Sequence, residues 1–115
     1  MSVLLDHNLP HKLRTGLTAL GSHEIVTASY MGWGQLKNGD LLRAARQNGF
    51  EVFITGDQSL VYEQQNLTGQ LAIVALSANN WPIIKNHISR IHAAIDAVLP
   101  GSVYTVACGT FSRKR

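Results

Sequence analysis

The chain has 115 residues, which is enough for one domain with a buried core and too few for two. Apolar residues make up 45% and charged residues 15%, so the composition is globular with a sparsely charged surface. The single cysteine, Cys108, excludes an intrachain disulfide framework and argues against a cysteine-based zinc site. No stretch has the length of a membrane span, and residues 1–5 are predicted to form a strand and not a signal peptide. We therefore expect a cytoplasmic protein.

The formal net charge of +3 is modest, and part of it lies in Arg113, Lys114 and Arg115. Basic surface is compatible with nucleic acid, because neutralisation of phosphates drives such binding. A short basic run is more often a solvated terminus, and nucleic-acid binding is the alternative interpretation. The sparse charge elsewhere leaves apolar surface that a partner protein or a second copy in a homodimer would cover.

The first half of the chain is predicted to alternate strands and helices. In chain order the predicted elements are a strand at 2–5, a helix from Pro10 to Gly21, a strand at 24–27, a loop at 28–39 and a helix from 38 to 49. Asn8 can cap the first helix, and Pro10 suits its first turn. The strand at 24–27 is short and β-branched, whereas the loop at 28–39 is rich in Gly and aromatic residues.

The second half continues the alternation. Its predicted elements are a strand at 51–55, an amide-rich segment at 58–69, a strand at 71–76, a helix at 82–99 and a strand at 102–107. The unbroken apolar run at 71–76 is typical of a strand covered on both faces. Alternating elements predict βαβ units, and so a three-layer α/β/α sandwich with a mostly parallel sheet of about five strands. We expect one domain over 1–107 and a basic tail over 108–115.

Three aspartates are placed where chemistry is possible. Asp6 and Asp57 each follow a predicted strand, and Asp40 lies in the first turn of a predicted helix. Ligands of parallel sheets bind beyond the carboxyl ends of the strands, so Asp6 and Asp57 would share a crevice if their strands are neighbours. Clustered carboxylates need a compensating cation, and Mg²⁺ prefers such oxygen ligands. Structural roles stay open for each residue: Asp6 in a turn, Asp57 at a helix cap and Asp40 at a helix dipole.

Four segments in register resemble the PIN-like domain family, and its small bacterial, toxin-type branch in particular. They are LLDHNLP at 4–10, MGWGQLKNGDLLRAA at 31–45, FITGDQSL at 53–60 and LSANNWP at 76–82. The resemblance covers residues 3 to 99 and implies a parallel α/β/α sandwich. It also implies RNA cleavage dependent on Mg²⁺ or Mn²⁺, in a toxin-like protein that a small antitoxin-like protein holds in check.

The resemblance implies roles for individual residues. Asp6, Asp40 and Asp57 match the acidic positions of the family, and are therefore expected to bind metal and to act in catalysis. Asn8 and Gln58 lie beside two of these acids and are candidates for contact with phosphate.

Basic and aromatic residues near these acids are further candidates for RNA contact. Lys37 and Arg43 flank Asp40 in sequence, where positive charge would hold a phosphate backbone. Tyr30 and Trp33 could stack on unpaired bases, or could simply pack against the domain or a partner.

The sequence departs from the family at two places. His7 follows Asp6 where the branch usually has a glutamate or glutamine, and residues 77–80 hold no carboxylate where fuller PIN nucleases carry a fourth acid. A catalytically inactive PIN-like module for protein interaction or RNA binding is therefore the alternative function. A phosphate-accepting receiver domain would need an acidic pair in place of Asp6-His7 and a lysine after the last strand, and both are missing. The five histidines show no metal-ligand spacing such as H-E-x-x-H.

Overall fold

The strands and helices follow the predicted order over residues 1–57 and 70–108, which the computed structural model describes. In chain order they are β1 (Ser2–Leu5), α1 (His11–Ala19), β2 (Glu24–Thr27), α2 (Asn38–Gln47), β3 (Val52–Thr55), β4 (Ala72–Leu76), α3 (Trp81–Ile84), a 3₁₀ turn (Lys85–His87), α4 (Ile88–Ala97) and β5 (Val103–Val106). Within this described part, no helix is long and apolar enough to cross a bilayer.

The strands form one five-stranded sheet in the order β2-β1-β3-β4-β5. Every pair is parallel, with Leu5 opposite Thr27 in β2 and Ile54 in β3. The chain leaves β1 for the edge strand β2 and then returns to β3 on the other side of β1. Strand order therefore reverses between β1 and β3, and this switch point is where doubly wound sheets bind their ligands.

Two apolar cores lie on opposite faces of the sheet. Successive strand residues point to opposite faces, so Leu4 belongs to one core and its neighbours Val3 and Leu5 to the other. The core containing Leu4, called the α2 core, also holds Phe53 and the buried face of α2. The second core, called the α1/α4 core, holds the apolar faces of α1, α3 and α4. Helices thus cover both faces, which confirms the predicted α/β class and is compatible with a three-layer sandwich.

The helix predicted at 82–99 is interrupted. A 3₁₀ turn at Lys85–His87 separates α3 from α4, although Ile84, Ile91 and Ile95 all point into the same core. The apolar spacing fixes which face is buried, and a short 3₁₀ turn keeps that face while changing the hydrogen-bond pattern. The last helix is consequently Ile88–Ala97, shorter at both ends than predicted.

The chain stays packed on the sheet beyond β5. Cys108 is buried in the α1/α4 core, and its N–H donates to Ser77 Oγ at 2.7 Å. Burial raises the pKa of the Cys108 thiol, so this cysteine is poorly suited to act as a thiolate nucleophile. Residues 109–115, with the basic tail, lie outside the described residues.

Candidate active site at the carboxyl edge of the sheet

Asp6 lies at the switch point between β1 and β3. Its N–H donates to the carbonyl of Ile54 at 2.9 Å, which extends the parallel ladder one residue past β1. Alternation along the strands puts Asp6 on the same face as Leu4, and Thr55 on the same face as Phe53. Both residues therefore lie on the α2 face. Asp6 and Thr55 are also the two buried polar side chains in the described part of the chain.

A threonine connects the two predicted aspartates. Thr55 Oγ1 donates to Asp6 Oδ2 at 2.7 Å and accepts the N–H of Asp57 at 3.0 Å. The hydroxyl is fully buried, so this pair of hydrogen bonds fixes both the Asp6 carboxylate and the turn that follows β3. The structure thus brings Asp6 and Asp57 to one edge of the sheet, on neighbouring strands, and Thr55 is the residue that joins them.

The second oxygen of Asp6 has no such partner. Asp6 is 3% exposed, yet its Oδ1 is buried without a hydrogen bond to any described residue. His7 Nε2 lies 3.7 Å from this oxygen, which is beyond hydrogen-bond distance. A buried anionic oxygen left unpaired costs free energy unless a cation or proton compensates it. The donor chemistry at this point therefore fits a hard divalent cation such as Mg²⁺ or Mn²⁺.

The loops that follow β3 and β4 meet at the same edge of the sheet. A Cβ placed on Gly56 would lie 2.8 Å from Asn79 Cβ and 3.4 Å from Leu9 Cδ2. Gly56 is therefore required for close approach of the two loops. Asn79 comes from the segment after β4 that holds no carboxylate, and its Cβ packs on Gly56. Leu9 belongs to the core that holds α1, so this contact lies on the face of the sheet opposite to that of Asp6 and Thr55.

Gly56→Ala is expected to destabilise the protein by about 1–3 kcal/mol, because the new methyl group overlaps a packed Cβ and the loops have to separate. Urea denaturation of wild type and variant would measure the change. Gly34→Ala is the matched control, since a Cβ at Gly34 meets nothing within 4 Å. Equal stability of the Gly56→Ala variant and the control would show that the two loops are not in tight contact.

Asp40 occupies a different environment from Asp6. It lies in the first turn of α2, its side chain is 63% exposed, and it accepts a hydrogen bond from Arg43 at 2.8 Å. An exposed pair three residues apart on a helix stabilises the protein only slightly. Arg43, predicted to contact phosphate, is therefore engaged with Asp40. The contact gives Asp40 a structural partner, and its part in metal binding stays a prediction.

A surface cleft lies beside Asp6, with the next residue, His7, in its wall. It has a volume of about 380 Å³ and is lined by His7, Lys37 and residues 34–36. Lys37 precedes α2 and is exposed, and His7 joins the cleft to Asp6. Two nitrogen groups at its rim suit a phosphate oxygen.

Two further residues were predicted to contact phosphate, Asn8 and Gln58. Asn8 is exposed in the turn between Asp6 and α1, so its side chain is accessible to a ligand. Gln58 lies outside the described residues.

The two aromatic candidates have different surroundings. Trp33 is partly buried against the α2 core and packs edge-to-face on Phe50, with ring centroids 6.1 Å apart. Tyr30 is 82% exposed and lines a second cleft, of about 500 Å³, with His11 and Arg14. Packing accounts for Trp33, whereas Tyr30 is available to a ligand.

Sequence reasoning missed two groups at this edge. The first is Thr55. A threonine that ends a buried strand, next to a strand that leads into a carboxylate, is a candidate hydrogen-bond partner of that carboxylate. The contact of Asn79 with Gly56 depends on the path of two loops, and a sequence gives no signal for it.

No protein-family model, curated protein or solved structure matches this chain.

Proposed function

We propose that this protein is a metal-dependent ribonuclease-like domain of the PIN-like type, with Mg²⁺ or Mn²⁺ held at the Asp6 carboxylate. The observation that carries the proposal is the buried, unpaired Oδ1 of Asp6 at the switch point of a parallel sheet. Asp57 supplies the second carboxylate, and Asp40 is the third member of the proposed set. The sequence resemblance supports the choice of RNA as substrate.

Different residues of the chain would have different roles in phosphodiester cleavage. The bound cation would polarise a phosphoryl oxygen and lower the pKa of the attacking water. Thr55 holds one oxygen of Asp6, so that the other stays directed at the ligand. His7 is 40% exposed beside Asp6, and its Nε2 can give or take a proton at the mouth of the crevice.

The substrate would cross the carboxyl edge through the two clefts. The cleft beside Asp6 offers Lys37 and His7, and the cleft beyond α1 offers His11 and exposed Tyr30. Basic groups would contact the backbone, and the tyrosine ring would stack on an unpaired base. Such an arrangement favours single-stranded RNA, because bases within a duplex are already stacked on one another.

The proposal includes a partner, which the resemblance alone supports. We place the protein as the toxin-like half of a toxin–antitoxin pair, inhibited by a small antitoxin-like protein. An inhibitor that covers the carboxyl edge would exclude RNA and metal together.

A catalytically inactive PIN-like module is the second candidate, and two observations favour it. Asp40 is paired with Arg43, and residues 77–80 hold no carboxylate where fuller PIN nucleases carry a fourth acid. Such a module would retain the clefts and bind RNA or a protein without cleaving it.

Cleavage of single-stranded RNA in Mn²⁺ distinguishes the two candidates. We expect wild type to bind Mn²⁺ in calorimetry and to cleave, and Asp57→Asn to lose at least about tenfold in affinity and 100-fold in rate, because a ligand charge is removed. Glu24→Gln is the control, since it removes an exposed carboxylate at the opposite end of β2. Metal binding without cleavage would favour the inactive module. No Mn²⁺ binding by folded wild type would exclude the nuclease.

A further inference from the structure

A second group of potential metal ligands lies at the other end of the sheet. His23 precedes β2, and His92 and Asp96 lie one helical turn apart in α4. His23 Nε2 is 2.6 Å from Asp96 Oδ1, and His92 Nδ1 is 3.4 Å from Asp96 Oδ2. One ligand atom from each of the three residues falls within 4.8 Å of the others. Because His23 comes before its strand and Asp6 comes after its own, the two sites lie at opposite edges of the parallel sheet.

The ring of His92 is oriented as a metal ligand would be. Its Nε2 is 2.9 Å from the carbonyl oxygen of Gly21, which can only accept a hydrogen bond. The proton of the neutral ring is therefore on Nε2, and the lone pair on Nδ1 faces Asp96. Histidine ligands of metals commonly donate their other N–H to a backbone carbonyl, which fixes the tautomer and the ring orientation.

The turn between α1 and β2 holds the other ring in place. Gly21 and Ser22 have φ angles of 79° and 77°, and Ser22 is the one non-glycine residue with positive φ in the described chain. This turn directs the Gly21 carbonyl to His92 and carries His23 inward, where its side chain is only 4% exposed. The two rings lie 5.0 Å apart, centroid to centroid. Two nearly buried imidazoles thus converge on one carboxylate.

Without metal, the cluster forms a hydrogen-bonded network. His23 Nε2 donates to Asp96 while its Nδ1 lies 3.3 Å from the amino group of Met1. Coordination through Nε2 would move the ring proton to Nδ1, and Met1 would turn away into solvent. Tetrahedral zinc sites have ligand atoms about 3.4 Å apart for bonds of about 2.1 Å. The two histidine–carboxylate distances are 2.6 Å and 3.4 Å, and the three ligand atoms lie within 4.8 Å of one another, so side-chain rotations would bring them to that spacing.

We propose that His23, His92 and Asp96 form a binding site for a divalent transition metal of the zinc class. Two nitrogen ligands and one carboxylate favour Zn²⁺ over Mg²⁺, which prefers oxygen ligands alone. The Asp96 side chain is 52% exposed, so water can reach a fourth position. The bound ion would tie the α1–β2 turn to α4 and brace the sheet at the edge away from the Asp6 carboxylate. This site is independent of the proposed nuclease function.

Titration of the metal-free full-length protein with Co²⁺ and then Zn²⁺ tests the site. Tetrahedral Co²⁺ absorbs strongly in the visible range, and Zn²⁺ should displace it at a stoichiometry of one. We expect His92→Gln and Asp96→Asn each to weaken Zn²⁺ binding at least about tenfold, the loss seen even for outer partners of metal ligands. His11→Gln and Asp6→Asn are the controls and should bind Zn²⁺ as wild type does.

The outcomes separate a metal site from a hydrogen-bonded network. Asp96 is half exposed on α4, so Asp96→Asn is the variant that should fold even if His92→Gln does not. Absence of Co²⁺ absorption and of Zn²⁺ binding in wild type would overturn the proposal whatever the variants do. Zn²⁺ binding that His11→Gln weakens as much as Asp96→Asn would also overturn it, since the ion would then be bound elsewhere.

Discussion

Asp6→Asn is expected to stabilise the metal-free protein while abolishing its affinity for Mn²⁺. In EDTA, the free energy of unfolding should rise by about 1–2 kcal/mol, because a buried anionic oxygen without a hydrogen bond is replaced by a neutral amide. The asparagine carbonyl can still accept the Thr55 hydroxyl, so the link between β1 and β3 survives. Mn²⁺ should raise the stability of wild type and leave the variant unchanged. Urea denaturation with and without Mn²⁺ measures both effects.

The opposite signs of these two effects are what identify a ligand site. If the Asp6 carboxylate has a structural role, its neutralisation should destabilise the fold. If its role is to bind a cation, the charge itself lowers the stability of the metal-free protein, and neutralisation should raise that stability. Asp6→Ala separates the two contributions, because it also removes the acceptor of Thr55 and should destabilise the protein. Glu24→Gln, on the exposed start of β2, should change neither stability nor Mn²⁺ affinity. An Asp6→Asn variant that is less stable in EDTA and still binds Mn²⁺ would contradict the assignment.

The sequence predicts where the strands lie better than it predicts which strands are adjacent in the sheet. The apolar runs that became β3 and β4 are short, β-branched and bounded by turn residues, so their type and approximate ends follow from local patterning. Asp6 and Asp57 lie on neighbouring strands only because β1 and β3 are adjacent, and this adjacency arises because the chain returns from β2 to the other side of β1. The Asp6–Thr55 hydrogen bond joins residues 49 positions apart, which no local pattern reports.

A sequence also predicts which face of a helix is buried better than it predicts the hydrogen-bond pattern along that helix. Ile84 and Ile95 both lie in the α1/α4 core, as one apolar face of a helix at 82–99 would place them, but this spacing gives no sign of the 3₁₀ turn at Lys85–His87. The spacing of His92 and Asp96 does predict a shared helix face. His23 joins them only through the left-handed turn before β2, so the sequence gives no sign of this third proposed ligand.

Phe53, in the central strand β3, is the largest fully buried side chain in the described part of the chain. Phe53→Ala is expected to lower the free energy of unfolding by about 3–5 kcal/mol, because the ring is fully buried in β3 against the α2 core and its loss leaves a cavity. Domains of this size are stable by about 5–15 kcal/mol, so the melting temperature should fall by at least about 10 °C. Thermal unfolding followed by circular dichroism gives the measurement.

Tyr30→Ala is the matched control for this substitution, since it deletes another aromatic ring from a side chain that is 82% exposed and should change stability by no more than about 0.5 kcal/mol. Phe53→Leu should recover most of the loss by refilling the cavity. Because Phe53 shares its strand and its face with Thr55, partial loosening of β3 should also weaken Mn²⁺ binding before the fold is lost. A Phe53→Ala variant as stable as Tyr30→Ala would mean that α2 does not pack on this face, and the position of the cleft beside Asp6 would then have to be reconsidered.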